Sequence, residues 1–191
     1  KEPTDHETTR LITWEMADAL SLDLVEKGAV TDQIVLTIGY DRESLSSGHY
    51  QGEITIDFYG REVPKHAHGT INLGRHTSSS KIITEAAMKL FDSIAGAGLL
   101  SRRIGIAACN VISEEDIPAE EKYEQMSIFD LADNSEEQSE DDEGLAKERA
   151  LQEAMLEIKH KYGKNAVVKA KNLSKGGTAI ERNGQIGGHK A

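Results

Sequence analysis

Cysteine is almost absent. Cys109 is the only one in 191 residues, so no internal disulfide can form. It sits in an apolar run and reads as a small core residue rather than a nucleophile. Aromatic residues make up 5% of the chain and apolar residues 38%, too little for every segment to close around a core. No apolar run approaches the roughly 18 residues that a membrane-spanning helix requires, and no secretory signal is visible. These two absences lead us to expect a cytoplasmic protein. Lys1 rather than Met comes first, so the sequence reads as a piece of a longer chain. Catalytic signatures are missing too. Ser78, Ser79 and Ser80 lack the flanking glycines of a nucleophile elbow. Gly163-Lys164 and Lys175-Gly176-Gly177 lack the spacing of a phosphate-binding loop. His66, His68 and His76 have no cysteine or carboxylate at metal-ligand spacing. No catalytic residue, metal or cofactor is expected in this stretch.

What is present is charge, unevenly spread. The net charge is −11, yet residues 1–59 carry −8, residues 60–112 carry +4, residues 113–143 carry −13 and residues 144–191 carry +6. Two positive blocks therefore flank a very acidic one, and local fields rather than the average decide whether a polyanion is attracted.

Periodicity gives the fold. Asp5 can cap a helix whose stripe runs through Leu11, Trp14, Ala17/Asp18, Leu20/Ser21 and Leu24/Val25 and stops at Lys27-Gly28. Gln33 to Tyr40 is dense in β-branched residues and predicts a strand. Glu53 to Tyr59 alternates and reads as strand-like, an excursion from the main sheet. Gly69 to Thr77 alternates again, with Ile71 and Leu73 on one face and Thr70, Asn72, Gly74 and His76 on the other. On that strand Arg75 shares the inward parity, so it reaches solvent only at a strand end or after a bulge. One of Ser78–Ser80 caps a second helix with the stripe Ile82/Ile83, Ala86/Ala87, Leu90/Phe91 and Ile94, and Arg102 to Val111 is the last strand. The economical packing is an α+β two-layer sandwich, an antiparallel sheet with two helices on one face, over residues 1–112. Residues 113–143 read as an acidic unfolded linker, residues 144–170 as a helix with a short extended segment, and residues 171–191 as a basic Gly-rich tail.

Within the acidic linker lies a short apolar hook, Gln125-Met126-Ser127-Ile128-Phe129. An unfolded segment keeps such side chains mainly when a partner supplies the pocket that buries them. Each anchor buried on binding contributes roughly 1.5–3 kcal/mol before ordering entropy is subtracted, enough for a reversible tether. The competing reading is a scrap of helix or strand packed on its own domain.

The segments Gly69 to Ser80 and Leu99 to Ile106, with the helix between them, resemble the little-finger domain of Y-family translesion DNA polymerases of the DinB/UmuC type. The ending Asn183 to Ala191 is similar to that of the Gram-positive branch. The hook resembles the bacterial sliding-clamp-binding motif, with Met126 and Ile128 in place of leucines. The resemblance implies a sheet laid against primer–template DNA and holding its phosphates. Arg61, Lys65, Arg75, His76, Ser79, Ser80, Lys81, Arg102 and Arg103 are the candidate contacts. It implies capture of the β sliding clamp by Gln125, Met126, Ser127, Ile128 and Phe129, and other SOS proteins as further partners. It also implies a catalytic palm with Mg in the parent polymerase; nothing in these residues corresponds to one, so this piece binds and positions. Two other functions fit the residues: a clamp-recruited repair or regulatory adaptor without polymerase activity, and a plain interaction domain.

Overall fold

The computed structural model describes residues 2–46, 50–118, 135–186 and 189–190. Helix α1 (His6–Glu26) starts where Asp5 accepts the Thr8 N–H at 2.7 Å. That backbone hydrogen bond holds the Asp5 carboxyl below its usual range. The helix ends at Lys27, and Gly28 follows in the left-handed conformation (φ 58°) that a side chain would resist.

Strand β1 (Ala29–Tyr40) is the middle of the sheet. Its period of two sends Ile34, Leu36 and Ile38 inward, each fully buried. It begins four residues ahead of the expected Gln33. Thr31 pairs with Thr77, while Ala29 and Val30 pair with Ser113 and Ile112, partners too distant in sequence for local periodicity to reveal. Strands β2 (Ile54–Ile56) and β3 (Glu62–Pro64) form a separate antiparallel ribbon, the excursion anticipated at Glu53–Tyr59. Strands β4 (Ala67–Thr77) and β5 (Ser101–Cys109) flank β1 antiparallel on either side, and β6 (Ile112–Ser113) extends one end.

Helix α2 (Ser80–Ile94) packs beside α1 on one face of this sheet. Ala17 and Leu24 of α1, Ile34 of β1, and Ile83 and Ala87 of α2 form one part of the core. Leu36, Ile38, Tyr40, Leu90 and Phe91 form the other. This is the two-layer α+β sandwich expected. Among the described residues, the other sheet face carries no helix.

Three details depart from the expected boundaries. The fold continues past residue 112 through β6 and a 3-10 turn at Glu114–Asp116. Helix α3 spans Ser135–Tyr162, so residues 135–143, expected in the unfolded linker, are helical. The acidic run thus opens a helix, and the macrodipole favours acidic residues in a first turn. The short helix α4 (Ala179–Asn183) lies in the segment expected to be a tail. Among the described residues, no helix is long and apolar enough to cross a membrane.

Candidate nucleic-acid interface

The sheet face turned away from the helices is set by register. Arg103 of β5 stands opposite Gly39 of β1, Gly105 opposite Thr37 and Ala107 opposite Val35. On the other side of β1, Asn72 stands opposite Gln33, Thr70 opposite Val35 and His68 opposite Thr37. His68, Thr70, Asn72, Arg103, Gly105 and Ala107 are all exposed. Cross-strand hydrogen bonds fix the polar members: Gln33 Nε2 donates to Asn72 Oδ1 at 2.7 Å, and Thr37 Oγ1 lies 3.0 Å from His68 Nδ1. The middle of this floor is built from Gly39, Thr37, Gly105 and Ala107. Side chains that small leave low relief, so an extended ligand backbone can lie against the strands.

Basic groups gather at one end of the floor. Arg102 Nε donates to Asp41 Oδ2 at 2.5 Å. Burial opposes ionisation of Asp41, but the Glu43 N–H and the Arg102 guanidinium outweigh it and hold the carboxyl below its usual value. Arg103 has no salt bridge to a carboxylate among the described residues and points from the open face. On the β2–β3 ribbon, Arg61 pairs with Asp57 at 2.6 Å and lies over the Tyr59 ring, and Lys65 pairs with Glu53 at 2.7 Å. Exposed pairs of this kind are screened by water and add little to stability, so either cation is free to exchange its carboxylate for another anion.

The opposite end of the floor is different. β1 advances two residues between its pairings at Thr31 and Gln33 while β4 advances five, from Asn72 to Thr77. This bulge, with Gly74 at φ 80°, takes Arg75 and His76 out of the regular alternation. The three serines that follow are buried. Ser79 caps α2 by accepting the Ile82 N–H, and its hydroxyl donates to Glu148 Oε2 at 2.6 Å. The Lys81 N–H donates to Glu148 Oε1 at 2.8 Å. Arg149 reaches Ser78 Oγ at 3.0 Å and Glu114 at 2.9 Å, and Gln152 reaches the Ser78 carbonyl at 3.1 Å. Ser80 bonds both Asp18 and Lys169.

The model of the impB/mucB/samB family C-terminal domain matches residues 2–128. The chain belongs to this family. The match agrees with the likeness to the C-terminal region of Y-family polymerases seen in the little-finger segments. It is also similar to a Bacillus subtilis (strain 168) protein described as "Putative UV-damage repair protein UvrX", with 26% identity over all 191 residues. The chain spans 37% of that relative's length. No solved structure matches it significantly.

In this impB/mucB/samB domain the nine basic and hydroxyl candidates fall into three places. Arg102 and Arg103 stand at one end of the open floor, and Arg61 and Lys65 lie on the adjoining ribbon. Arg75, His76 and Ser79 lie at the end covered by α3, with Ser80 buried beside them against Asp18 and Lys169 and the Lys81 side chain exposed at the edge. They do not form one patch. Gln33 and Thr37 of the floor, and Glu148, Arg149 and Gln152 of α3, were not among them. No local signal marks the α3 residues, because they act on partners 35 to 74 positions away. Gln125, Met126, Ser127, Ile128 and Phe129 lie outside the described residues.

Proposed function

We propose that the body formed by residues 2–118 grips primer–template DNA through its open sheet face, and that residues 125–129 fasten it to the bacterial sliding clamp. The chain then serves as the DNA-gripping, clamp-recruiting region of a cytoplasmic translesion polymerase. The supporting observation is the floor itself: six exposed positions on β4 and β5, small side chains in the middle, and Arg103 free of a carboxylate among the described residues. Contacts from such a surface go to phosphate and sugar and carry little sequence information. That suits an enzyme that accepts distorted templates. The hydroxyl of Thr70 and the amide of Asn72 supply donors to phosphate oxygens, and Arg103 supplies charge.

The hook contributes by tethering. The Gln125 amide suits clamp backbone groups, and Met126, Ile128 and Phe129 suit an apolar cleft. Linking that site to a weak DNA grip raises the local concentration at a primer end without any new contact. Catalysis and its Mg belong to the parent polymerase, and other SOS proteins are candidate partners of the C-terminal segments.

The test is fluorescence anisotropy of the chain on labelled primer–template DNA across a salt series. Each phosphate neutralised adds about 0.9 to the slope of log affinity against log salt. Binding that is sequence-independent and weakens steeply with salt supports the reading; binding indifferent to salt removes it.

A further inference from the structure

Helix α3 holds an anion of its own where the bulge of β4 meets the start of α2. Glu148 offers one oxygen to the Ser79 hydroxyl and the other to the Lys81 N–H. The cleft around this carboxylate is lined by Arg75, His76 and Arg149 as well. So the seat holds a carboxylate beside Arg75 of the sheet, whereas Arg149 belongs to α3 itself and is paired with Glu114 and Glu153. A phosphate oxygen asks for the same donors.

The helix that delivers Glu148 is held by polar contacts and a short apolar row. Of its apolar side chains, Met155 is buried and Leu145 and Leu156 are half-buried, while Leu151, Ile158 and Tyr162 are 58%, 39% and 67% exposed. Gln152, Arg149 and the His160–Glu26 pair at 2.6 Å supply much of the remaining attachment. An element with few buried apolar contacts opens at low free energy. It is also strongly acidic at its start, with six carboxylates in residues 135–143.

We infer that α3 is an intramolecular cover: Glu148 occupies a phosphate seat formed by Ser79, the Lys81 N–H and Arg75, and DNA must displace it to use that seat. The inference rests on the proposed DNA grip and adds its regulation. In the covered state the floor and Arg103 supply the grip. Displacing α3 adds at least one phosphate contact and extends the footprint along β4.

The experiment uses the full chain and primer–template DNA. Glu148→Gln keeps the volume of the side chain and removes its charge. We expect it to bind about tenfold more tightly at fixed salt, the scale of one hydrogen bond to a charged group. Its salt slope should be steeper by about 0.9. In the parent chain, hydrogen exchange of α3 amides should quicken when DNA is added. That second measurement stands even if the substitution weakens α2. Unchanged affinity and slope, or α3 amides that stay protected in a DNA complex, overturn the cover. In that outcome an Arg103→Ala variant that still weakens binding preserves the grip. Absence of DNA binding by every variant overturns the grip and the cover together.

Discussion

Gly69 of β4 and Leu90 of α2 approach so closely that a Cβ on Gly69 would stand 2.9 Å from Leu90 Cδ1. Ile94 Cγ2 would be 3.0 Å from the same point. This contact seats α2 on the sheet and fixes which face of β4 remains for a ligand. Leu90 is 5% exposed and hemmed in by Phe91 and Ile38 in the same cluster, so it has little room to yield. Gly69→Ala should destabilise the domain by about 1–3 kcal/mol, the usual cost of overpacking, and Gly69→Val by more. Urea denaturation followed by far-UV circular dichroism measures it; an unchanged midpoint would show that the layers are looser than described.

Arg103 carries the charge of the open floor. Arg103→Ala should weaken primer–template binding and lower the salt slope by about 0.9, with the unfolding midpoint within about 0.5 kcal/mol of the parent. Arg102 differs, because it is tied to Asp41. Arg102→Ala should cost both stability and binding. Paired titrations and melts of the two variants separate a ligand contact from a structural one.

Asp41 makes stability depend on pH in a defined sense. Its folded carboxyl titrates below the ordinary value of 3.8, so the ionised form favours the fold. That contribution is full above the unfolded pKa and is lost as pH falls through the folded one. Urea midpoints should therefore be flat near neutrality and drop progressively below roughly pH 5. Asp41→Asn should reduce stability at pH 7 and flatten the acid limb. A variant whose acid limb matched the parent would remove Asp41 from this role.

Most of the folded body was legible in the sequence. The 3.6-residue stripe of α2, from Ile83 to Phe91, and the alternation of Ile34, Leu36 and Ile38 are strong local signals, and both describe the core. The parity of Arg75 even required an irregularity, which the bulge at Gly74 supplies. α1 was legible on one side only. Beyond the stripe it also buries Glu15 under the C-terminal segment, where Thr178 bonds it as Lys169 bonds Asp18 at the stripe's edge, and no periodic pattern announces polar burial. For the same reason the cover of Ser79 by Glu148 was hidden. Such pairs depend on which distant segments meet, and spacing along the chain does not encode that. The early start of α3 was masked by composition, since a dense run of acids suggests self-repulsion before it suggests a helix.

The clamp tether makes a separable prediction. Replacing Gln125 and Phe129 together by Ala should abolish capture by the sliding clamp on a sensor surface while leaving DNA binding unchanged. Met126→Leu with Ile128→Leu should alter capture only mildly, since apolar volume is kept. Capture that survives the double Ala replacement would remove the hook from the account.

The open sheet face as the DNA grip is tested most directly by amide chemical-shift mapping of the chain as primer–template DNA is added. The account predicts that the largest changes fall on Thr70, Asn72, Arg103, Gly105 and Ala107, with the buried row Ile34, Leu36 and Ile38 moving less. Changes confined to the outer side of α1, with the β4 and β5 amides unmoved, would contradict it.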